Sequence, residues 1–381
     1  MKTIVVCVPY LQKAAGTELE ALITAIQFAS MDDVDNVKIF SPDKANEELK
    51  SKTENFNIQF LNYPNFYKNS YVNKLNRFLK PLFKFMNKDF DPIYYLYWVY
   101  FRLRYNPSIG YILTPTYSNY FFSIVFGLNF RNVTLKYTAF DLWFKPSEFL
   151  LNIYKKCASI IVTGEVQKNL LLEFNSSLNA YVLDVFLWTE DEFLNLPINN
   201  RKQPIHFGML CRISPEKNIL DGIKLVEFLT QRGIQACLKI QGILYSKEYL
   251  KELHNEIRKR NLNSYISISI LPIDRFQVNN FYDSIDCFLI TSKSEGGPTT
   301  GLEAMACAKM ILSYDIAAMA ERLKPFGNRL IARNFEELCG KAQILINLSD
   351  WKPIGLNLRL RYIEKYSNDL KLKQLMKILQ I

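Results

Sequence analysis

Histidine is scarce in this chain: only His206 and His254 occur, far apart and with no adjoining cysteine. A zinc site of common spacing and a Ser-His-Asp triad are therefore not expected. The seven cysteines form no Cys-x-x-Cys pair, and most lie in apolar runs. They predict reduced core thiols in a cytoplasmic protein.

Long apolar runs are also missing. No stretch approaches the roughly 18 apolar residues that a membrane span needs. The short run at residues 4–8, followed by Pro9 and Lys13, is typical of a first strand and not of a signal peptide. A Gly-x-Gly-x-x-Gly motif is absent, which argues against a dinucleotide-dependent oxidoreductase.

Two series of apolar runs alternate with helical patterns, as expected for a 381-residue chain with 49% apolar residues. The first predicts a helix over 16–30 and strands near 4–8, 37–40, 58–61, 111–113, 133–137, 159–163 and 180–183. The second predicts strands near 205–210, 236–241, 265–270, 285–291 and 310–313. This alternation indicates two α/β units with parallel sheets, joined by a polar linker at 189–204. Ligands of such sheets bind at the carboxyl ends of the strands.

The segment 294–306, Ser-Glu-Gly-Gly-Pro-Thr-Thr-Gly-Leu-Glu-Ala-Met-Ala, is the most informative part of the chain. It places Glu295 and Glu303 eight positions apart, across a turn between an apolar strand and a helix. We expect unpaired backbone N–H groups at the start of this helix to favour a phosphate. Glu303 is suited to hold ribose hydroxyls, and Glu295 those of a sugar. The remaining candidate donor-binding residues of the segment are Gly296, Gly297, Thr299, Thr300 and Gly301.

A second segment, 207–218, carries two cations after a predicted strand. Arg212 follows the strand and Lys217 lies near the start of the next helix. Such a pair can converge on a pyrophosphate, Arg through two hydrogen bonds and Lys as a point charge.

Together these segments resemble the retaining GT-B glycosyltransferases, most closely family 4 (glycosyl transferases group 1). Residues 294–306 are similar to the family's Glu-x7-Glu motif, and 207–218 to its Gly-Arg-Leu-x-x-x-Lys-Gly segment. The resemblance implies an α/β GT-B fold: two Rossmann-like domains facing a central cleft, with a C-terminal helix crossing back to the first. It also implies that Glu295, Arg212 and Lys217 are the catalytic residues.

The same resemblance suggests domain roles. Residues 1–195 are expected to form the acceptor-binding domain, 196–360 the nucleotide-sugar-binding domain, and 361–381 the returning helix. The loop Lys13–Glu18 resembles the family's Gly-Gly-x-Glu loop, with Ala15 in place of one glycine, and this implies that Gly16 binds the donor. On the acceptor side, Phe140 stands where many relatives carry a histidine, with Asp141 beside it.

A metal-dependent alternative would need an Asp-x-Asp motif at a strand end. Asp33-Val-Asp35 and Asp89-Phe-Asp91 match the string, but neither follows a convincing strand. We therefore predict no metal and no cofactor, with the nucleotide sugar as substrate.

Residues 66–105 combine eight Lys/Arg and fourteen aromatics with two Asp/Glu. This mixture favours contact with an anionic membrane surface or a lipid-linked acceptor, with core packing as the main alternative. Binding of nucleic acid, which uses similar residues, is the least favoured.

The predicted function is retaining transfer of a sugar from a nucleotide-diphosphate donor to a saccharide or polyprenyl-linked acceptor, in cell-surface polysaccharide synthesis. The predicted location is the cytoplasm, with peripheral attachment to the inner face of the membrane. A non-catalytic GT-B relative that binds a partner or a sugar nucleotide, or another GT-B enzyme such as a sugar-nucleotide epimerase, is the alternative.

Overall fold

The computed structural model describes residues 2–9, 11, 16–42, 44–65, 69–83, 91–113, 119–137, 146–271 and 278–381. The chain divides into two compact units. The first comprises residues 1–186 and 371–381, and the second residues 187–370.

The described part of the first unit contains a seven-stranded parallel sheet in the order β3-β2-β1-β4-β5-β6-β7. Its strands are β1 Thr3–Cys7, β2 Asn36–Phe40, β3 Ile58–Leu61, β4 Ile109–Leu113, β5 Val133–Lys136, β6 Ser159–Val162 and β7 Ala180–Val182. Its helices are α1 Gly16–Ala29, α2 Glu47–Ser51, α3 Ser70–Leu79, α4 Pro92–Tyr105, α5 Asn119–Gly127, α6 Glu148–Tyr154 and α7 Glu165–Phe174.

The central strands of this sheet are buried along their length, because helices cover both faces of a parallel sheet. Trp98 and Phe101 of α4 and Phe122 of α5 pack in the core with Val5 and Ile112 of the sheet. The Trp98 indole donates a hydrogen bond to the Tyr63 hydroxyl at 2.9 Å. The core is therefore aromatic on the side that α4 covers.

The second unit contains a six-stranded parallel sheet in the order β10-β9-β8-β11-β12-β13 within the described residues. Its strands are β8 Ile205–Leu210, β9 Ala236–Gln241, β10 Ile266–Ser269, β11 Cys287–Ile290, β12 Met310–Tyr314 and β13 Ile331–Ala332. The helices after α7 are α8 Glu190–Leu194, α9 Ile219–Thr230, α10 Lys247–Lys259, α11 Asn279–Asp283, α12 Thr299–Ala306, α13 Ala317–Leu323, α14 Phe335–Ile346, α15 Lys352–Tyr366 and α16 Asn368–Leu379.

The predicted linker contains a helix. Residues 190–194 form α8, which carries three acidic residues in its first turn, where the helix dipole favours negative charge. Phe193 is fully buried and meets the Tyr282 ring edge-on at 5.8 Å. A polar stretch thus became a helix because one apolar residue anchors it in the second unit.

Residues 361–381, predicted as one returning helix, belong to two helices, α15 and α16. They meet at Ser367, where the backbone is extended. The Asn368 side chain exchanges two hydrogen bonds with the Leu187 backbone, at 2.9 and 2.8 Å. Glu190 also accepts from the Tyr362 hydroxyl at 2.5 Å and from the Asn368 N–H at 2.8 Å. These polar contacts fix the break between α15 and α16.

Lys371 of α16 occupies a buried position in the first unit. Its ammonium donates to the Val185 carbonyl at 2.6 Å and lies 5.6 Å from the centre of the Phe186 ring. The Phe186 N–H in turn donates to buried Glu20 at 2.7 Å. Burial raises the pKa of the Glu20 carboxyl to about 7, although Lys136 and Lys371 lower it in part. Residues 371–381 are thus an integral part of the first unit.

Candidate active site

The two predicted motifs leave the second sheet at the same edge. β11 pairs in parallel with β8, and β8 with β9, so the segments that follow these strands emerge side by side. The close approach of two of these segments depends on Gly242. A Cβ built there would lie 1.7 Å from the Cys211 carbonyl oxygen, which no side chain could tolerate.

Lys217 and Glu295 are in direct contact. Lys217 ends a short 3-10 turn before α9, and its ammonium donates a hydrogen bond to Glu295 Oε1. Lys217 is only 8% exposed. The Ser292 hydroxyl donates to the same carboxylate oxygen at 3.0 Å. Two residues that lie 78 positions apart in the sequence, and that were both predicted to act on one donor molecule, are therefore in contact.

Arg212 lies near the same edge but in a more open setting. Its guanidinium is 3.3 Å from Glu216 Oε1, and it lies 5.3 Å from the centre of the exposed Tyr245 ring. The Ser214 hydroxyl also donates to Glu216 Oε1, at 2.6 Å. Because the arginine side chain is about half exposed, it is accessible to an incoming anion.

Hydrogen bonds hold the two motif segments together. The Thr291 hydroxyl contacts the carbonyl oxygens of Lys217 and Asn218, at 3.2 and 2.9 Å. The Lys293 N–H donates to the Glu216 carbonyl at 2.8 Å. Thr291 and Lys293 follow β11 directly, so the strand end positions the Lys217 turn.

The glycine-rich turn leads into α12 as expected, with one correction. Pro298 is the N-cap residue and supplies no side-chain cap, so the helix starts at Thr299 and Thr300 without a competing side chain. The Gly301 N–H, expected to be unpaired, donates to the Pro298 carbonyl at 3.1 Å. The first turn is tight enough to satisfy this donor internally, and binding of an anion by the preceding N–H groups stays a prediction.

Packing accounts for two features around this turn. A Cβ at Gly301 would lie 2.4 Å from the Met319 sulfur, so the glycine permits close packing of α12 on α13. The buried Arg322 guanidinium donates to the Pro298 carbonyl at 2.8 Å from beneath. Gly297 is buried and Gly296 half-buried in the same turn.

Glu303 is buried on α12, with only 3% of its surface exposed. Its Oε2 accepts a hydrogen bond from the Tyr282 hydroxyl at 2.6 Å, and that hydroxyl lies 3.1 Å from the Thr300 carbonyl. Glu303 is therefore fixed beside the first turn of α12, and its assignment to the ribose stays a prediction.

The other predicted positions lie in the first unit. Gly16 begins α1, and a Cβ built on it would meet no heavy atom within 4 Å among the described residues, its chain neighbours and its own helix backbone aside. Phe140 and Asp141 fall outside the residues that the structure describes.

Three carboxylates of the Asp-x-Asp strings have structural contacts, and the fourth, Asp89, lies outside the described residues. Asp33 forms a 3.5 Å ion pair with Lys2, and Asp35 accepts from the Lys2 N–H at 2.5 Å. Asp91 caps α4, accepting from the N–H groups of Ile93 and Tyr94. Within the described ranges, no three His, Cys, Asp or Glu side chains cluster as metal ligands.

Sequence reasoning missed Thr291, Ser292, Tyr282 and Arg322. Thr291 and Ser292 directly follow a buried strand, and this position was a usable signal. Tyr282 and Arg322 had no such signal, because their roles depend on which distant backbone and side-chain groups the fold brings to them.

The charged groups of the site are suited to binding a diphosphate. Arg212 and Lys217 carry two positive charges, paired here with Glu216 and Glu295, and α12 follows β11, the strand that pairs with β8. A diphosphate carries the complementary negative charge, and backbone N–H groups at a helix start bind such anions.

Solved structures share this fold along the whole chain. A glycosyltransferase from Rickettsia africae is 16% identical, with a TM-score of 0.75, covering 100% of this chain and 98% of its own. S. aureus TarM, solved in a mutant form with fondaparinux, alpha-GlcNAc-glycerol and UDP, is 13% identical at a TM-score of 0.73, with both chains fully covered. Anabaena Alr3699/HepE, in complex with UDP and glucose, is 15% identical at 0.73, again over both whole chains.

These likenesses define the class: the chain has the GT-B fold of glycosyltransferases, as predicted. Residues 192–364 match the model of the family described as glycosyl transferases group 1. This segment contains both motifs and every site residue of the second unit, so the predicted resemblance to that group is confirmed. No curated protein sequence matches the chain.

Proposed function

We propose that the protein is a retaining glycosyltransferase that moves a sugar from a nucleotide-diphosphate donor to a saccharide or polyprenyl-linked acceptor. The contact between Lys217 and Glu295, beside the start of α12, carries this proposal. Cell-surface polysaccharide synthesis is the proposed setting, with the enzyme in the cytoplasm at the inner face of the membrane. None of the helices in the described ranges is long and apolar enough to cross a bilayer.

Two supports come from the group 1 match and from the structural neighbours. The match covers the residues of the second unit that would bind the donor. Anabaena HepE was crystallised with UDP-glucose, and TarM with UDP and saccharides. By analogy, we assign a nucleotide sugar and a saccharide to this chain.

In the proposed mechanism, the bond between the anomeric carbon and the diphosphate oxygen breaks as the acceptor oxygen attacks from the same face. Arg212 and Lys217 stabilise the negative charge that develops on the leaving diphosphate. A diphosphate oxygen takes the acceptor proton, so the scarcity of histidine is tolerable. Glu295 orients the sugar through its hydroxyls, and Glu303 holds the ribose; rate enhancement comes from orientation and electrostatics.

The exchange of partners at Lys217 is central to this mechanism. Without donor, its charge is neutralised by Glu295. When the diphosphate binds, it becomes a second anionic partner for the lysine, and the carboxylate becomes available for sugar hydroxyls. No metal ion or cofactor is assigned a role, because the two protein cations supply the positive charge that a divalent ion would.

A donor screen tests the proposal. The purified protein is incubated with a panel of UDP- and GDP-sugars, and thermal stabilisation and release of nucleoside diphosphate are measured. We expect one donor both to stabilise the protein and to be slowly hydrolysed. Stabilisation without any hydrolysis or transfer would favour the non-catalytic alternative, and conversion to an epimeric nucleotide sugar would favour an epimerase.

Product stereochemistry tests the retaining mechanism. NMR of the product should show the same anomeric configuration as the donor. An inverted product would overturn the mechanism even with transfer established.

A further inference from the structure

Two neighbouring helices of the first unit expose large apolar side chains at the same spacing. On α3 these are Tyr71, Leu75 and Phe78, and on α4 they are Leu96, Tyr100 and Leu103. Their exposed fractions run from 51% to 76%. Positions i, i+4 and i+7 lie on one side of a helix, so each trio forms a stripe. We call the two stripes together the α3–α4 face.

The opposite sides of these helices explain why they are held in place. Trp98 and Phe101 of α4 are buried in the core of the first unit. Asn76 of α3 donates to Asp91, the cap of α4, and accepts from the Ile93 N–H at 3.3 Å. Burial in the core of the first unit therefore accounts for the inner sides of α3 and α4. It does not account for the apolar stripes on their outer sides.

Charge around the stripes has one sign. Residues 69–83 and 91–106 contain five cations, Lys74, Arg77, Lys80, Arg102 and Arg104, and a single carboxylate. That carboxylate, Asp91, is buried in its capping role. Lys74 lies 5.8 Å from the centre of the Tyr71 ring, and Arg104 donates to the Tyr100 hydroxyl at 2.9 Å. Cations thus adjoin the apolar stripes directly.

We propose that the α3–α4 face docks on a bilayer surface rich in anionic phospholipid. The aromatic and leucine side chains enter the boundary between headgroups and acyl chains, while the lysines and arginines remain at the phosphate level. This proposal deepens the proposed attachment to the inner face of the membrane, on which it rests, by assigning that attachment to one surface of the first unit.

Charge complementarity favours a membrane over the other occupants. A second copy of the chain, related by a two-fold axis, would place the cations of one face opposite those of the other. A single-stranded nucleic acid would need aromatic platforms for its bases, yet three of the six exposed side chains are leucines, which cannot stack in this way.

Vesicle co-sedimentation tests the proposal. The full-length protein is mixed with vesicles of phosphatidylcholine alone or of phosphatidylcholine with phosphatidylglycerol. We expect binding only to the anionic vesicles, and its loss at high salt, where the Debye length shortens to about 3 Å. Phe78→Glu/Leu103→Glu should weaken binding by about tenfold or more, since each side chain loses its apolar burial.

Two further variants separate the contributions. Lys74→Glu/Arg77→Glu keeps the apolar stripes and should abolish the preference for anionic vesicles. Ile344→Glu, at an exposed apolar position of α14 in the second unit, is the matched control and should bind as the wild type does. Thermal melts confirm that each variant is folded, and donor hydrolysis without vesicles reports on sugar transfer separately.

Four outcomes would overturn the proposal. They are absence of vesicle binding, equal binding to both vesicle types, wild-type affinity in the Phe78→Glu/Leu103→Glu variant, and loss in that variant of a wild-type dimer or of binding to an RNA oligonucleotide. The last outcome would assign the α3–α4 face to another copy of the chain or to nucleic acid.

Discussion

The pairing of Lys217 with Glu295 makes the nucleotide affinities of single variants predictable. Lys217→Ala removes one cation from the diphosphate site and also leaves the Glu295 carboxylate facing the incoming anion. Glu295→Gln removes the competing carboxylate. We therefore expect the lysine variant to bind UDP or GDP more weakly, and the glutamine variant to bind at least as tightly as the wild type.

The burial of Lys217 and Arg212 in the structure predicts which substitution weakens nucleotide binding more. A hydrogen bond to a charged group contributes roughly 1.5–3 kcal/mol. At 1.4 kcal/mol per tenfold, this corresponds to a loss of roughly 10- to 150-fold in affinity. Lys217 is almost fully buried, so its loss should lie toward the upper end. Arg212 is about half exposed, and solvent screening places Arg212→Ala toward the lower end.

Isothermal titration calorimetry with UDP and GDP measures these affinities. Lys217→Ala, Glu295→Gln and their double variant form a cycle, in which the double variant should recover part of the lost affinity. Lys259→Ala is the control, because this exposed lysine ends α10 at the opposite edge of the sheet. Turnover should fall far more than affinity in Glu295→Gln, since the carboxylate orients the sugar.

Wild-type nucleotide affinity in both Lys217→Ala and Arg212→Ala would refute the assignment of the diphosphate clamp. A fall in nucleotide affinity in Glu295→Gln as large as that in Lys217→Ala would instead show that Glu295 contacts the nucleotide itself.

Three further predictions concern metal dependence, ribose binding and the pH dependence of stability. Transfer activity should survive EDTA, because protein cations neutralise the diphosphate; complete loss that Mg²⁺ or Mn²⁺ restores would contradict this. Glu303→Ala should weaken nucleoside diphosphate binding by roughly 1.5–3 kcal/mol with a smaller effect on kcat. A change in kcat alone would show that Glu303 does not bind the ribose. Wild-type stability should fall as pH rises from about 4.5 to about 7, since the folded state holds the Glu20 proton that the unfolded state releases. Glu20→Gln should cancel this fall and stabilise the protein by about 3 kcal/mol near pH 8 in urea unfolding, but not near pH 5; parallel pH profiles of the two proteins would refute it.

Most of the sheet architecture could be predicted from the sequence, because buried parallel strands are short apolar runs. All twelve predicted strands correspond to β1–β12. The strand that was missed, Ile331–Ala332, has two residues and leaves too little pattern to detect. α8 and the break between α15 and α16 depend on contacts of Phe193 and Asn368 with distant parts of the chain, which periodicity does not contain.

Less of the candidate site than of the two sheets could be predicted from the sequence. The motifs located Lys217 and Glu295, and strand-end geometry explained why they converge. Their direct pairing was not predictable, since it depends on side-chain conformations in the absence of donor. Burial of Glu303 against Tyr282 could likewise not be predicted from the sequence, because the tyrosine belongs to a separate helix whose packing is set by the tertiary fold.

The buried position of Lys371 has a consequence for how the protein is made. Lys371 fills a site beside Val185 and Phe186, yet it leaves the ribosome only after all of residues 187–370. At 5–20 residues per second, the first unit waits roughly 10 to 40 s without this lysine, one of the two that lower the pKa of the buried Glu20 carboxyl in the finished protein. The nascent first unit therefore carries an unfinished surface throughout synthesis of the second, and a ribosome stalled before Lys371 would display the first unit in a form that chaperones and proteases can distinguish from the finished protein.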